Sequence, residues 1–243
     1  MAAGKPPIVS RGTAKATAVA PALYNAGMPT AQPFQPENRM NEPLHSVPLE
    51  RAYRLLNPGP TVLVSAAHGG MRNVMAAAWA MPLDFEPPKV AVVLDKATWT
   101  RELVEASGHF VLSVPTRAQI DLVQALGTTS GKTFQEQEGR DKFTAFGIEA
   151  LEGRANAGPL VDGCVAWLEC RLLREPANEQ RYDLFLGEVL AAHADPRVFS
   201  EGRWHFDGHD ELRTLHHVAG GHFLIIGDAQ DARPLAPGEL GGG

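Results

Sequence analysis

Three groups of residues in this 243-residue chain have the types and spacing to do chemistry. The first is Asp95-Lys96-Ala97-Thr98-Trp99-Thr100, where an apolar, β-branched run gives way to a helical one. An ammonium and two hydroxyls beside a helix N-terminus can hold an anion, because the unpaired N–H groups there carry partial positive charge. The second is Asn73 followed by Met75-Ala76-Ala77-Ala78-Trp79. Small side chains in a strand leave room for close packing, or for a flat ligand to approach the backbone. The third is the histidine-rich stretch holding His205, His209, His216, His217 and His222. A zinc site couples regular ligand spacing to acids behind the ligands, whereas Gly208 and the intervening charges read as an irregular loop, so no metal is expected.

The remaining candidates are bland. Cys164 and Cys170 lie six apart in CVAWLEC, so along an extended strand both face one side at a separation no disulfide spans. Reduced, buried thiols are expected. The net charge of −6 comes from mixed signs without clustered Lys and Arg, which argues against nucleic acid as a partner. No apolar run reaches the roughly 20 residues of a membrane-spanning helix, and the first residues lack the charged-then-apolar order of a secretory signal. A cytoplasmic location is expected.

The elements that must position these groups begin after an arm. Residues 1–42 are rich in Ala, Pro and Thr, with no acidic residue before Glu37, a composition that reads as flexible. A transit peptide is similarly basic, but prolines at 6, 7, 21, 29, 33 and 36 interrupt its amphipathic helix. One domain over 43–230 and a disordered tail over 231–243 are expected. Within the domain, LERAYRLL reads as a helical turn, TVLVSAAH as a strand closed by a Gly69-Gly70 hairpin turn, NVMAAAWAMPL as a second strand, and KVAVVLD as a strand buried on both faces. TWTRELVEASG reads as a short amphipathic helix with Arg101, Glu102 and Glu105 mostly on its solvent side and Gly108 as its stop. HFVLSVP is a strand, RAQIDLVQALG a helix, and TTSGKTFQEQEGRDKF a polar stretch long enough for a functional loop. VAWLECRLLREP, YDLFLGEVLAAHAD and HFLIIGD are three further strands. Six or more strands with a few inserted helices argue for an antiparallel barrel over a doubly wound sheet.

The segment from Pro58 to Pro115 resembles the flavin reductase-like FMN-binding split-barrel family in order, spacing and residue type. The likeness continues through Ser130-Gly131-Lys132, Asp141-Lys142-Phe143, PLVDGCVAWLEC, FLGEVLAAH and HHVAGGHFLIIG, covering about residues 47–228. It implies a mainly β fold with short helices, an antiparallel, Greek-key-like split β-barrel holding FMN. NAD(P)H is implied as co-substrate, and a homodimer whose pocket is completed at the subunit seam. The electrons would pass to free flavin, a monooxygenase or another acceptor.

The same resemblance assigns roles. Asn73, Met75, Ala76, Ala77, Ala78 and Trp79 match the strand that contacts the flavin. Lys96, Thr98 and Thr100 match the phosphate and ribityl contacts. Ser130, Lys132 and Phe143, with Lys142 beside them, match a loop that closes over the cofactor. His217 matches a position near the flavin or the nicotinamide. No catalytic acid or base is implied, since the flavin carries the chemistry. Ser113, which the resemblance also places among the cofactor contacts, stands where the family often has Asn, and Phe223 where it often has Tyr; each loses a polar contact that bears on specificity. The alternative reading is a flavoredoxin-type FMN electron carrier with little NAD(P)H activity of its own. A pyridoxamine-phosphate-oxidase-like or haem-handling split barrel is a third.

Overall fold

The computed structural model describes residues 44–56 and 59–234. The expected arm over 1–42 and most of the expected tail lie outside the described residues, and 231–234 carry neither helix nor strand. Strand β1 (His45–Val47) and a 3-10 helix (Leu49–Leu55) precede β2 (Val62–His68), β3 (Met71–Ala77), β4 (Ala80–Phe85) and β5 (Pro88–Val93). Helix α1 (Trp99–Ser107) leads to β6 (His109–Val114), followed by α2 (Ile120–Thr128), α3 (Gly131–Glu138) and α4 (Lys142–Ala145). A short pair, β7 (Ala150–Leu151) and β8 (Leu160–Val161), comes before β9 (Ala166–Leu173), α5 (Pro176–Tyr182) and β10 (Leu184–Ala194). Two hairpins close the described chain, β11 (Phe199–Ser200) with β12 (Arg203–Trp204), and β13 (Leu215–Ala219) with β14 (His222–Ile225).

The main sheet is antiparallel throughout and runs β3-β2-β6-β9-β10-β5-β4, with β1 added to the far end of β10. Its two end strands, β3 and β4, are neighbours in sequence, joined only by Ala78 and Trp79. Two residues reach about 7 Å, whereas each step across a flat sheet is about 4.8 Å. The sheet must therefore curl until its ends meet. No ladder joins them; the Trp79 carbonyl in the connection instead extends the β4–β5 pairing, accepting from Val93 N–H at 3.0 Å. The barrel thus has one unpaired seam, and the run expected as a single strand from Asn73 to Leu83 is two strands broken at that seam.

Alternation along the strands explains why both faces are buried. Val62, Val64 and Ala66 of β2, with Phe110, Leu112 and Val114 of β6, enter the cluster inside the barrel. Leu63 and Val111, from the same strands, enter a second cluster with Val123 and Leu126 of α2, Phe143 of α4 and Trp167 of β9. Strands of period two, buried on both sides, require helices over the outer face.

Three further expectations change. The polar stretch expected as a loop forms α3 and α4: Gly139 takes the left-handed φ of 62° that ends α3, and the Asp141 side chain caps α4 by accepting from Thr144 N–H at 2.7 Å. Arg101, expected on the solvent side of α1, is buried between Glu105 at 2.9 Å and Asp183 at 2.6 Å. Its guanidinium also donates to the carbonyls of Leu94 and Glu179. Its helical position is as read; the segment that packs over it, from α5 to Asp183, carries no mark in the local sequence. The cysteines are both buried thiols, yet Cys170 faces the barrel interior and Cys164 the outer cluster. The same-side expectation fails because β9 begins only at Ala166.

Candidate functional site

A cleft of about 320 Å³ opens where β3 runs out at the seam. Its floor is Ala76, Ala77 and Ala78, and one wall is a face of α2 made by Val123, Gln124, Gly127 and Thr128. The opposite wall is the β13–β14 hairpin, through His217, Gly220 and Phe223, with Thr61 at its foot. The hairpin is stitched in place. Thr61 N–H donates to Leu215 O at 2.9 Å, and His217 N–H donates to Thr61 Oγ1 at 2.7 Å. His217 Nε2 lies 2.9 Å from Gly220 O, and its ring meets Phe223 edge to face with centroids 5.2 Å apart. Gly220 has φ of 57°, a turn conformation few side chains tolerate.

The floor is wide because its residues are small on both sides. A Cβ added to Gly127 would lie 3.5 Å from Ala76 Cβ, so helix and strand approach closely under the cleft. No side chain in the lining carries a permanent charge, and His217 is its one titratable group.

The expected site residues divide. Ala76, Ala77, Ala78 and His217 come together in the cleft. Met75, next along β3, is half-buried against the barrel interior. Trp79 is 74% exposed at the seam and lies outside the lining. Asn73, two residues before Met75, is buried and donates through Nδ2 to Thr100 Oγ1 at 2.9 Å, tying β3 to α1.

Around α1 the picture is of an open helix start. Thr98 is the N-cap, but its hydroxyl donates to Asp95 O at 2.7 Å and makes no cap bond. The first amides of α1 are therefore left without a side-chain acceptor. Thr100 is fully buried. Lys96 is exposed, donating to Gln180 O at 2.6 Å and lying 3.5 Å from Asp183. Across the junction, Ser130 is the exposed N-cap of α3, also without a cap bond, and Lys132 lies 3.4 Å from Glu102 of α1.

Ser113 and Phe143 are fully buried and lie outside the lining. Ser113 Oγ is 3.4 Å from Val161 N, and the Phe143 ring lies under Arg72, which pairs with Asp141 at 2.6 Å. Lys142, expected beside the cofactor, is buried, with Nζ donating to Leu126 O at 2.8 Å. Burial pushes its amine down to about 8. Packing of α4 under α2 turns it inward, as the buried Phe143 beside it shows.

Sequence reading did not single out Thr61, Val123, Gln124, Gly127, Thr128 or Gly220. Gly127 closes the run RAQIDLVQALG, where a glycine ordinarily marks a helix stop, yet α2 continues through Thr128. A glycine inside a helix where the stop is unnecessary was the available signal.

The chain matches the flavin reductase like domain model over residues 53–213. It is 47% identical over 184 residues to the Escherichia coli (strain K12) protein YddH, covering 74% of this chain and 94% of that one. A solved structure from Shewanella baltica OS155, an FMN-binding domain of a flavin reductases-like enzyme, superposes with TM-score 0.74 at 49% identity, over 79% of this chain and 98% of that one. The flavoredoxin of Desulfovibrio vulgaris (Miyazaki F) superposes with TM-score 0.61 at 25% identity, over 74% of this chain and 93% of that one. With its curled antiparallel sheet, its seam and its small-floored cleft, this chain belongs to the flavin reductase-like, split-barrel family.

Proposed function

We propose that the chain binds FMN in the seam cleft and works as an NAD(P)H:flavin oxidoreductase. The observation that carries this reading is the Ala76–Ala78 floor, a stretch of strand without bulk beneath an uncharged cleft of about 320 Å³. A flat ring needs that access to backbone. Held there, FMN would supply hydride acceptance from NAD(P)H at its N5 and onward electron transfer to free flavin or to a partner such as a monooxygenase. The chain's own residues bind and orient. Ala76, Ala77 and Ala78 seat the ring, with Asn73 and Met75 fixing the strand and Trp79 flanking the seam. Lys96, Thr98 and the uncapped amides at the start of α1, braced by Thr100, receive the phosphate. Ser130 and Lys132, the latter paired with Glu102 of α1, close over the cofactor in this reading, while Phe143 and Ser113 support from the buried side. His217 walls the cleft from the hairpin side; its Nε2 is already engaged by Gly220 O, and we assign no side chain to proton transfer.

We also propose a homodimer that works in the cytoplasm. Trp79, Met81, Leu83 and Phe85, along the terminal strand β4 and its junction, are 74%, 53%, 45% and 64% exposed. An apolar stripe on an unpaired edge favours coverage by a second copy.

A second reading, a flavoredoxin-type electron carrier, is favoured by the 25% identity to the Desulfovibrio protein. Stopped-flow mixing of the FMN-loaded protein with NADH and with NADPH separates the two. Rapid bleaching of the flavin band with either nucleotide supports the oxidoreductase; sluggish bleaching with both supports the carrier.

A further inference from the structure

The polar side chains of the cleft are almost all engaged within the protein. Thr61 Oγ1 accepts from His217 N–H at 2.7 Å. Thr128 Oγ1 donates to Gln124 O at 2.9 Å within α2. His217 Nε2 is 2.9 Å from Gly220 O. Gln124 is different: it is half-buried, and among the described residues its side-chain amide has no hydrogen-bond partner.

Its place is fixed from two sides. Gln124 and Thr128 are one turn apart on the α2 face that walls the cleft. Across the mouth, a Cβ added to Gly221, at the tip of the β13–β14 hairpin, would lie 4.0 Å from Gln124 Cδ. The amide therefore sits between helix and hairpin tip, above a floor of alanines, with a donor and an acceptor both unused.

A side-chain amide with both groups free pairs best with a ligand edge that offers a donor beside an acceptor. The tricyclic ring proposed above has one such edge, an imide in which an N–H lies between two carbonyls; its opposite edge carries only methyl groups. We propose that Gln124 is the specificity-determining residue of the cleft, pairing with the imide edge of the flavin ring and so orienting its pyrimidine end toward α2. The inference rests on the flavin reading and adds the ring's direction to it. A partly buried amide left without a partner costs free energy, so the cleft discriminates against flat rings that lack the complementary edge.

The test compares binding of FMN and N3-methyl-FMN to the full-length apoprotein by fluorescence quenching, using wild type, Gln124→Leu and Gln124→Asn. Methylation removes the imide donor and leaves the ring, ribityl chain and phosphate intact. Wild type is expected to bind the methylated ligand roughly tenfold more weakly than FMN, the loss of about one hydrogen bond. Gln124→Leu is expected to bind FMN about tenfold more weakly than wild type and to favour it over the methylated ligand by less than twofold. Gln124→Asn keeps the amide but withdraws it by one methylene, and should fall between.

Two results would overturn the inference while leaving flavin binding in place: wild type binding both ligands equally, or Gln124→Leu retaining the full preference of wild type. A wild-type protein that binds neither ligand overturns the flavin reading itself. The wild-type comparison depends on no variant's folding.

Discussion

Asn73 and Thr100 are joined by a buried hydrogen bond of 2.9 Å, and the remaining oxygen of Asn73 has no partner and lies against Gly131. Three elements therefore meet at one side chain: the strand that floors the cleft, the helix whose open start faces outward, and the helix that follows α2. A Cβ at position 131 would stand 2.1 Å from Asn73 Oδ1, closer than any side chain can tolerate. Gly131→Ala should lower stability by about 1–3 kcal/mol, and FMN affinity should fall with it. Asn73→Ala removes the obstacle, so in a double-mutant cycle by urea denaturation the pair should cost less than the sum of the singles. Strict additivity would contradict the contact.

Gly127 offers the opposite outcome. It lies inside α2, where glycine is worse than alanine by about 1 kcal/mol, and its added Cβ would make only ordinary contact with Ala76 at 3.5 Å. Gly127→Ala should raise Tm while narrowing the cleft and weakening FMN binding severalfold. A variant that gains stability and keeps full affinity would show that the ring does not use this part of the floor.

Lys142 gives a pH signature. Burial lowers its amine from 10.5 to about 8, so between pH 8 and 10.5 the unfolded chain holds this proton and the folded chain does not. Stability therefore rises with pH across that window, by at most about 1.4 kcal/mol per unit from this group. Lys142→Met should be more stable than wild type at pH 7 and lose that contribution to the slope, as urea titrations at pH 7, 9 and 10 would read. An unchanged slope would mean that the amine is solvated.

Glu169 acts in the other direction. It is fully buried and accepts from the backbone N–H groups of Arg154, Ala155 and Ala157 at 2.8, 2.9 and 3.3 Å. His193 Nε2 completes the set at 3.1 Å. Burial alone would raise its carboxyl, but the bonds from His193 and these amides outweigh burial and hold it below the ordinary value of 4.5. The stabilisation is present above pH 4.5 and is lost as pH falls through the lowered value. Glu169→Gln removes the charge and turns an N–H toward a donor, so it should cost roughly 2–4 kcal/mol at pH 7 and flatten the acid limb of the stability profile.

Local chemistry was legible wherever the sequence itself enforces it. Gly69-Gly70 dictated the β2–β3 turn, with both residues at positive φ, Gly108 the end of α1, and the β-branched run in KVAVVLD a strand buried on both faces. The alanine floor and His217 were legible from the family resemblance, and both line the cleft. What escaped was set by distant partners. The break at Ala78-Trp79 follows from closure of the sheet, which no local pattern encodes. Gln124, inside a run read only as a helix, and Thr128, at the start of a stretch read as a loop, join the cleft only because the β13–β14 hairpin lies across them. Arg101 read as a surface cation, and Lys142 as a loop residue beside the cofactor, because their acceptors, Asp183 and Leu126 O, come from elsewhere in the chain.

The central claim is that the seam cleft is an FMN site, and titration of the full-length apoprotein with FMN tests it most directly. One FMN per chain, bound with quenched fluorescence and a shifted flavin spectrum, and weakened when Ala77 is replaced by Leu while the fold persists, is the result expected. A colourless protein that takes up no FMN at high micromolar concentration would contradict it.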